Sequence, residues 1–339
     1  MRGPAVRAPA VADEKWARDD QIETHDRAPS IRELLPVTPG EGQLASLVGA
    51  LWEAGDGLRQ PREECPSRQP LPSRDAVIDI VEALRSVLFP GYFGPSDLTP
   101  ENAAFHMGST LDRIGRDLRE QVKRGYCFAC RERVEECDVR TETAVRHFLA
   151  RLPAVRRVLA TDVQAAYEGD PAATSPDEAV FCYPGVFAVT NYRLAHELHM
   201  LEVPLIPRMI TEYAHSTTGI DIHPGATIGE GFFIDHGSGV VIGETCIIGD
   251  RVRLYQGVTL GAKSFPLDEN GNPIKGIDRH PVVEDDVVIY SEATILGRVT
   301  IGRGSVIGGN VWLTRDVAPD SVVTQAQVRQ DVCEDGGGI

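Results

Sequence analysis

The feature of this sequence that most restricts its fold is a six-residue repeat in the C-terminal part. An aliphatic residue returns at every sixth position within three blocks, and these thirteen positions are Ile222, Ile228, Ile234, Ile242, Ile248, Leu254, Leu260, Val283, Ile289, Ile295, Ile301, Ile307 and Leu313. Six is the period of neither an α-helix nor an amphipathic strand, whereas a fixed short repeat is typical of a parallel β-solenoid. The sequence therefore predicts a triangular coil in which each hexapeptide forms one face and three hexapeptides complete a turn.

The repeat also predicts how the coil is filled. The recurring aliphatic side chains should point inward and stack on their equivalents in the turns above and below. Glycine directly follows six of them, at Gly229, Gly243, Gly249, Gly261, Gly302 and Gly308. Without a Cβ, the backbone at these positions can turn or approach a neighbouring strand. Ordinary strands with chance spacing are a poor alternative, because all thirteen positions keep one phase within their blocks.

The sequence before the repeat is helical in character. Apolar residues recur at helical spacing over 77–88, over 111–122 and again over 141–167, where Pro153 could break or kink the helix. We predict an α+β protein with four parts. These are a flexible tail over 1–40, an α-helical N-terminal domain over 41–205, a left-handed parallel β-helix over 206–325, and a flexible C-terminal tail over 326–339.

Charge, hydropathy and cysteine content exclude several classes of protein. The 34 basic and 50 acidic residues give a formal net charge of -16, which opposes binding to nucleic acid or to an anionic membrane. No apolar run is long enough for a transmembrane helix or a secretory signal, so we expect a cytoplasmic protein that acts on a small molecule. The seven cysteines are an odd number and predict no disulfide framework. Cys127, Cys130 and Cys137 could form a zinc or redox site, but buried helical cysteines explain the spacing better.

Two interruptions of the repeat are the predicted location of the functional groups. Eight residues instead of six separate Ile234 from Ile242, and the additional residues fall in Asp-His-Gly-Ser-Gly at 235–239. A longer excursion follows Leu260 and ends in Asp-Arg-His at 278–280. Because a solenoid gains stability from regularity, loops that interrupt it are where binding groups are expected.

Four short segments stand in a fixed order in and before the coil. They are Asp-Pro-Ala at 170–172, Asp-Ile-His-Pro at 221–224, Ile-Asp-His-Gly at 234–237 and Asp-Arg-His-Pro at 278–281. Together they make residues 170–323 resemble the serine acetyltransferases, more specifically than hexapeptide repeats alone, which many acyltransferases share. The resemblance implies an enzyme that moves an acetyl group from acetyl-CoA to the hydroxyl of L-serine, the first step of cysteine biosynthesis.

The resemblance also implies catalytic roles for two residues. His236 is expected to be the general base and Asp221 its orienting carboxylate. A neutral imidazole can take the proton of a serine hydroxyl, and a carboxylate on the other ring nitrogen fixes its tautomer. We expect direct transfer in a ternary complex, without an acyl-enzyme and without a metal, because no cysteine or serine stands in a nucleophile context beside His236.

The implied binding residues match the charges of a free amino acid. Carboxylates suit its ammonium group, and a planar guanidinium suits its carboxylate. Asp170 and Asp235 are expected at the ammonium group, Arg279 and His280 at the carboxylate, and His223 as a further substrate contact. Backbone groups hold most of CoA in this family, so its contacts are only hypothesised, at Gly261, Ala262 and Ser291. Ala262 stands where the family pattern has a second glycine.

The resemblance further implies partners. The active site of this family lies between neighbouring subunits, so we expect a homotrimer or a dimer of trimers. L-cysteine carries the same ammonium and carboxylate as serine and is expected as a feedback inhibitor. The acidic C-terminus ending in Ile339 resembles the peptide that inserts into O-acetylserine sulfhydrylase, although a frayed end without a partner is the alternative.

Three other functions are compatible with a hexapeptide coil. An acetyltransferase acting on a sugar or another amino acid is the nearest, but a neutral sugar offers nothing for Arg279 to pair with. A zinc carbonic anhydrase needs three imidazoles, two of them close together on one turn, and His223, His236 and His280 lack that pair. A non-catalytic scaffold would not need a base and ion-pairing groups at the interruptions.

Overall fold

The computed structural model describes residues 41–54, 70–95, 97–129 and 134–325. In this part of the chain, residues up to 59 and residues from 60 onward belong to two separate compact units. The described helices are α1 Glu41–Ala54, α2 Arg74–Leu88, α3 Pro100–Ala129, α4 Val134–Gly169, α5 Pro176–Cys182, α6 Pro184–Met200 and α7 Ile206–Thr218. None of them carries an apolar stretch long enough to cross a bilayer. Both predicted tails, 1–40 and 326–339, lie outside the described residues.

Short strands follow the helices and build a parallel coil. They are β1 Asp221–Ile222, β2 Thr227–Ile228, β3 Phe233–Ile234, β4 Val241–Ile242, β5 Ile247–Ile248, β6 Arg253–Leu254, β7 Thr259–Gly261, β8 Val282–Val283, β9 Val288–Ile289, β10 Thr294–Leu296, β11 Thr300–Ile301, β12 Val306–Ile307, β13 Trp312–Leu313 and β14 Val322–Val323. Every third strand joins the same sheet. Sheet I has the order β1-β4-β7-β10-β13, sheet II the order β2-β5-β8-β11, and sheet III the order β3-β6-β9-β12-β14.

The repeating aliphatic residues fill the interior of this coil, as predicted. Each is the second residue of its strand and pairs in register with its equivalents, as Ile222, Ile242 and Leu260 do in sheet I. Twelve of the thirteen are buried in one core cluster, and Leu313 at the end of the coil is partly buried against it. The period of six therefore reflects one inward side chain per face, which is why it differs from the periods of isolated helices and strands.

The helical region forms a second core. Ser73 caps α2 by accepting a hydrogen bond from the backbone N–H of Ala76, and the buried face of α2 packs with α3 and α4. Helix α4 runs through Pro153 without ending there. Burial of Leu152 and Val155 on either side offsets the one backbone hydrogen bond that proline removes.

The start of the coil differs from the prediction. Residues 206–218, which were assigned to the β-helix domain, form α7 instead, and the first strand begins at Asp221. Ile206 and Ile210 are one helical turn apart and are both buried in the core of the helical region. Gly219 ends the helix in the left-handed conformation at φ 73°.

A buried ion pair fixes the helices on the first turn of the coil. The Arg193 guanidinium on α6 donates two hydrogen bonds to the Asp162 carboxylate on α4, at 2.6 and 2.8 Å. It also donates to the carbonyl oxygens of Ile228 and Gly229, and Asp162 accepts the N–H of Phe232. This network holds the end of α4, and therefore Asp170, in a fixed position against β3.

Candidate active site

The eight-residue spacing after β3 produces an exposed histidine at the edge where sheet III meets sheet I. His236 has φ 55° and is followed by Gly237 at φ 86°, so the chain makes a left-handed turn here. A Cβ at Gly237 would lie 2.5 Å from the Cδ1 atom of Ile220, so this turn requires glycine. The His236 side chain is 73% exposed and its Nδ1 atom lies 3.6 Å from the Oδ1 atom of Asp235, whose side chain is only 13% exposed.

Asp170 joins this histidine from the end of α4. Its Oδ1 atom accepts the N–H of Ala172 at 2.8 Å, and its Oδ2 atom accepts the hydroxyl proton of Tyr183 at 2.6 Å. The hydrogen bond from Tyr183, the bond from Ala172 and the nearby charge of His236 lower the pKa of Asp170 below its usual value. The hydrogen bond to Asp170 raises the pKa of the Tyr183 hydroxyl, and the nearby charge of Asp235 adds a smaller contribution in the same direction. We call Asp170, Tyr183, Asp235 and His236 the His236 edge.

Close packing positions Tyr183 at this edge. Tyr183 precedes α6, and a Cβ at Gly185 in the first turn of that helix would lie 2.2 Å from the carbonyl oxygen of Ile234. The backbone of α6 thus lies directly against β3. Two carboxylates and a phenol thereby converge beside an imidazole, an arrangement that suits a small ammonium group next to a proton acceptor.

We expect Tyr183→Phe to weaken use of an ammonium-bearing substrate in a pH-dependent way. Removing the hydroxyl removes the largest influence that lowers the pKa of Asp170, so this pKa should rise and the carboxylate should be lost at a higher pH. The acid limb of kcat/KM should therefore move upward, and KM near neutral pH should rise by about 3–10-fold. Because an ordinary aspartate carboxyl titrates at about pH 4, steady-state kinetics from pH 3 to 7, with Tyr167→Phe on the exposed side of α4 as the control, checks this; an unchanged profile between pH 3 and 5 would contradict it.

The Asp221 carboxylate lies beside helix α7. One of its carboxylate oxygens lies within 4.8 Å of ligand atoms of Glu212 and His215 on α7. Its backbone N–H donates to the carbonyl oxygen of Val240, at the end of the loop that carries His236. The carboxylate that the structure pairs with His236 is that of Asp235, so the role of Asp221 as an orienting group stays a prediction.

The second interruption of the repeat places charged groups at the edge between sheet I and sheet II. Arg279 donates from Nη2 to the Oε2 atom of Glu244 at 2.5 Å and from Nη1 to the carbonyl oxygen of Ile277. Partial burial raises the pKa of Glu244, but the hydrogen bond and charge of Arg279 outweigh it and lower this pKa overall. We call His223, Glu244, Arg279 and His280 the Arg279 edge.

His280 is held as a neutral hydrogen-bond donor. Its ring packs on Gly243, where a Cβ would lie 2.1 Å from the ring. The N–H of Thr245 donates to Nδ1 at 3.0 Å, so the ring proton resides on Nε2. Burial and the charge of Arg279 lower the pKa of His280, which keeps the ring neutral at physiological pH.

His223 has the same character two turns earlier in the coil. The N–H of Gly225 donates to its Nδ1 atom at 3.0 Å, leaving the proton on Nε2. Burial and the nearby Arg208 lower the pKa of His223 to about 4. His199 on α6 approaches it edge-on, with ring centroids 6.1 Å apart. The Arg279 edge therefore offers one guanidinium and two imidazole N–H donors, a set that suits a carboxylate.

The residues hypothesised to contact CoA fall on both edges. Gly261 ends β7 at the Arg279 edge, its carbonyl oxygen accepts the N–H of Gly297, and Ala262 follows it into the long loop. Ser291 follows β9 at the His236 edge, and its carbonyl oxygen accepts the N–H of Asn310. The structure thus does not bring Ser291 and Gly261 together within one chain.

Three residues of these edges were missed from the sequence. Tyr183 lies outside the repeat, and only its packing on β3 brings it to Asp170. Glu244 and Thr245 follow Gly243, which pairs with the position of His223 because Ile242 and Ile222 are in register. Aligning Ile242 with Ile222 across the eight-residue spacing predicts that Glu244 and Thr245 lie beside His223. This alignment is the sequence signal that could have identified both residues.

The two edges lie on opposite sides of sheet I. One hexapeptide separates the two edges, which at about 3.3 Å per residue is roughly 15–20 Å of extended chain. The ammonium and carboxylate of an amino acid are only a few ångströms apart, so one molecule cannot contact both edges of a single chain. A site that uses both edges must combine the His236 edge of one chain with the Arg279 edge of another.

Comparisons with known proteins identify a family. A model of the bacterial transferase hexapeptide family (six repeats) matches residues 280–315. The plasmid serine acetyltransferase of Synechococcus elongatus is 52% identical over 305 residues, which are 87% of this chain and 95% of the relative. The chain belongs to the serine acetyltransferases. Mycobacterium tuberculosis serine acetyltransferase is 48% identical over 162 residues, 48% of this chain and 67% of the relative.

Solved structures of serine acetyltransferases have the same fold. The crystal structure of serine acetyltransferase 1 from Entamoeba histolytica in complex with L-cysteine aligns with a TM-score of 0.65 and 40% identity, over 72% of this chain and 86% of that chain. Together with the three parallel sheets, this match confirms the predicted fold class, a helical N-terminal region followed by a left-handed parallel β-helix. The resemblance stated from the four segments is confirmed as well.

Proposed function

We propose that this serine acetyltransferase transfers the acetyl group of acetyl-CoA to the hydroxyl of L-serine in a cleft between two chains. The observation that carries this proposal is the division of the charged groups between two edges of one coil. Acidic groups with an exposed imidazole stand on one edge, and a guanidinium with two neutral imidazoles stands on the other. Serine carries one group for each edge and a hydroxyl between them.

His236 acts as the general base in this proposal. Its exposed imidazole takes the proton of the serine hydroxyl while the oxygen attacks the thioester carbonyl of acetyl-CoA. The tetrahedral intermediate expels the thiolate, and the imidazolium returns the proton to sulfur, so the acetyl group moves without an acyl-enzyme. Asp235 lies close enough to stabilise the imidazolium. Asp221 would take over as the orienting carboxylate if it turned from α7 toward the His236 loop.

Substrate recognition follows from the charges at each edge. Asp170 and Asp235 bind the ammonium group, while Arg279, His280 and His223 bind the carboxylate. Glu244 holds the Arg279 guanidinium in place, which reduces the conformational entropy lost on binding. An amino acid fits this division of charge better than a neutral sugar, which would leave the guanidinium unpaired.

Substrate analogues that each lack one charge test the proposal. Ethanolamine keeps the ammonium and the hydroxyl but lacks the carboxylate, so it should be acetylated poorly by the wild type. Arg279→Gln should lower kcat/KM for L-serine by about 10–100-fold, the effect of losing a charge-assisted hydrogen bond. The same change should alter kcat/KM for ethanolamine by less than about 2-fold, since that substrate has nothing for Arg279 to bind.

The control for this experiment is Arg251→Gln, because Arg251 forms an exposed ion pair with Asp286 at the edge between sheet II and sheet III. This substitution should leave kcat/KM for serine and for ethanolamine unchanged. Thiol release from acetyl-CoA measures all the rates. An equal loss with serine and ethanolamine in Arg279→Gln would contradict carboxylate recognition. Wild-type activity with a sugar but not with serine would contradict the proposed substrate.

The assembly and partners belong to the same proposal. We propose a homotrimer or a dimer of trimers, because the cleft needs two chains. CoA lies along this cleft, with Gly261 and Ala262 of one chain facing Ser291 of the next. L-cysteine inhibits by occupying the serine position, which the cysteine complex of the Entamoeba enzyme supports by analogy. The C-terminal peptide ending in Ile339 is the proposed contact with O-acetylserine sulfhydrylase and lies outside the described residues.

A further inference from the structure

A cluster of three metal-ligating side chains lies where α7 meets the coil. Glu212 and His215 are on the last turns of α7, Asp221 opens β1, and one ligand atom from each lies within 4.8 Å of the other two. All three residues are half-buried. Within the part of the chain that the structure describes, no other group of three or more histidine, cysteine or acidic side chains meets this spacing.

The geometry of the cluster fits a small cation. Zinc binds nitrogen and oxygen ligands at about 2.0–2.2 Å in a tetrahedron, which places the donor atoms about 3.4 Å from one another. The Nδ1 atom of His215 and the Oε2 atom of Glu212 are already 3.4 Å apart. The other carboxylate oxygen of Glu212 accepts a hydrogen bond from Arg208 at 2.6 Å, which orients Oε2 toward His215. A ligand oxygen of Asp221 lies within 4.8 Å of both residues, so a short inward movement would complete the donor set.

The charges around the cluster and the chemistry of its donor atoms also favour a cation. Two carboxylates lie beside one imidazole, and with the carbonyl groups at the C-terminal end of α7 their negative charge exceeds the single positive charge of Arg208. One imidazole nitrogen with two carboxylate oxygens suits zinc and other first-row divalent cations, whereas calcium and magnesium prefer oxygen alone. The metal would take Nδ1 of His215, and the ring proton would then reside on Nε2.

We propose that Glu212, His215 and Asp221 form a binding site for a divalent transition-metal cation, and that its occupancy inhibits the enzyme. The backbone N–H of Asp221 is bonded to Val240, and the N–H of Gly239 is bonded to the carbonyl oxygen of Gly219, so the cluster adjoins the loop of His236. A bound cation holds the Asp221 carboxylate on α7 and withholds it from His236. The inhibition, unlike the binding, rests on the proposed function, in which Asp221 orients the base.

Calorimetric titration of the metal-free full-length protein with Zn²⁺ under reducing conditions tests the binding. We expect the wild type to show one site per chain that is absent in His215→Ala and His215→Gln and at least about 10-fold weaker in Glu212→Gln. His147→Ala, on the exposed face of α4, is the matched control and should bind as the wild type does. Thermal unfolding without metal identifies any variant that fails to fold, and the two replacements of His215 guard against a defect caused by size alone.

Binding of zinc by cysteines elsewhere in the chain would give the same titration signal in the wild type and in every variant. An isotherm shared by the wild type and both His215 variants, or no binding to the wild type, would therefore overturn the site. Assays with Zn²⁺ present test the inhibition: the concentration for half-inhibition should rise at least about 10-fold in His215→Ala, with kcat in the absence of metal unchanged. Binding at the cluster without inhibition would overturn the inhibitory role alone. Absence of serine acetylation in the wild type would refute the proposed function, while the titration would still decide the metal site.

Discussion

Asparagine in place of His236 is expected to lower kcat for acetylation of L-serine by about 10²–10⁴-fold, the usual contribution of a general base. Asparagine is close in size and keeps hydrogen-bonding capacity, but it cannot accept a proton from the serine hydroxyl. The side chain is largely exposed and makes no contribution to either core, so folding should be unaffected. KM for serine should change little, because the ammonium and carboxylate contacts remain.

Release of CoA from acetyl-CoA, measured with a thiol reagent at saturating serine, gives the rate directly. His147→Asn, which alters an exposed histidine far along α4, is the matched control and should retain wild-type kcat. A bound acetyl-CoA signal in calorimetry would confirm that the His236 variant still forms the cleft. Turnover within a few-fold of the wild type would show that another group takes the proton, and the base assignment would then be wrong.

The coil could be predicted from the sequence because its determinants are local. Each inward residue is set by the period of six, and the interruptions at 235–239 and 262–281 are visible as failures of that period. The positions of His236, Asp235, Arg279 and His280 at the edges followed from these interruptions. The six-residue period does not depend on how distant elements pack. This explains why Ile222 and Leu260 were correctly predicted to lie in the interior of the coil.

The details of the site could not be predicted, because they depend on packing between elements distant in sequence. Tyr183 reaches Asp170 only because α6 lies against β3 with no room for a Cβ at Gly185. The buried pair of Asp162 and Arg193 fixes that arrangement, and charged residues in helices give no sequence signal of being buried partners. The start of the coil was misplaced for a similar reason, since Ile206 and Ile210 also fit a hydrophobic strand in isolation.

A mixture of two impaired variants is expected to recover about one quarter of wild-type kcat/KM for serine. A cleft works if one chain supplies an intact His236 edge and the next supplies an intact Arg279 edge. When His236→Asn and Arg279→Gln chains are co-expressed equally and assemble at random, about one cleft in four receives both intact edges. Either variant alone forms no cleft with both edges intact. The expected rise over the His236 variant alone is therefore at least tenfold and appears in kcat/KM for serine.

The matched control is a mixture of wild-type chains with chains that carry both substitutions. If each cleft is shared between two chains, about one cleft in four is again intact; if the site lay within one chain, about one half would be. The two hypotheses thus differ in both mixtures. If the site lay within one chain, the mixture of His236→Asn and Arg279→Gln chains would be no more active than the better of its components. The mixture of wild-type and doubly substituted chains would then keep half of wild-type activity. That pair of results would contradict a site formed by the His236 edge of one chain and the Arg279 edge of another.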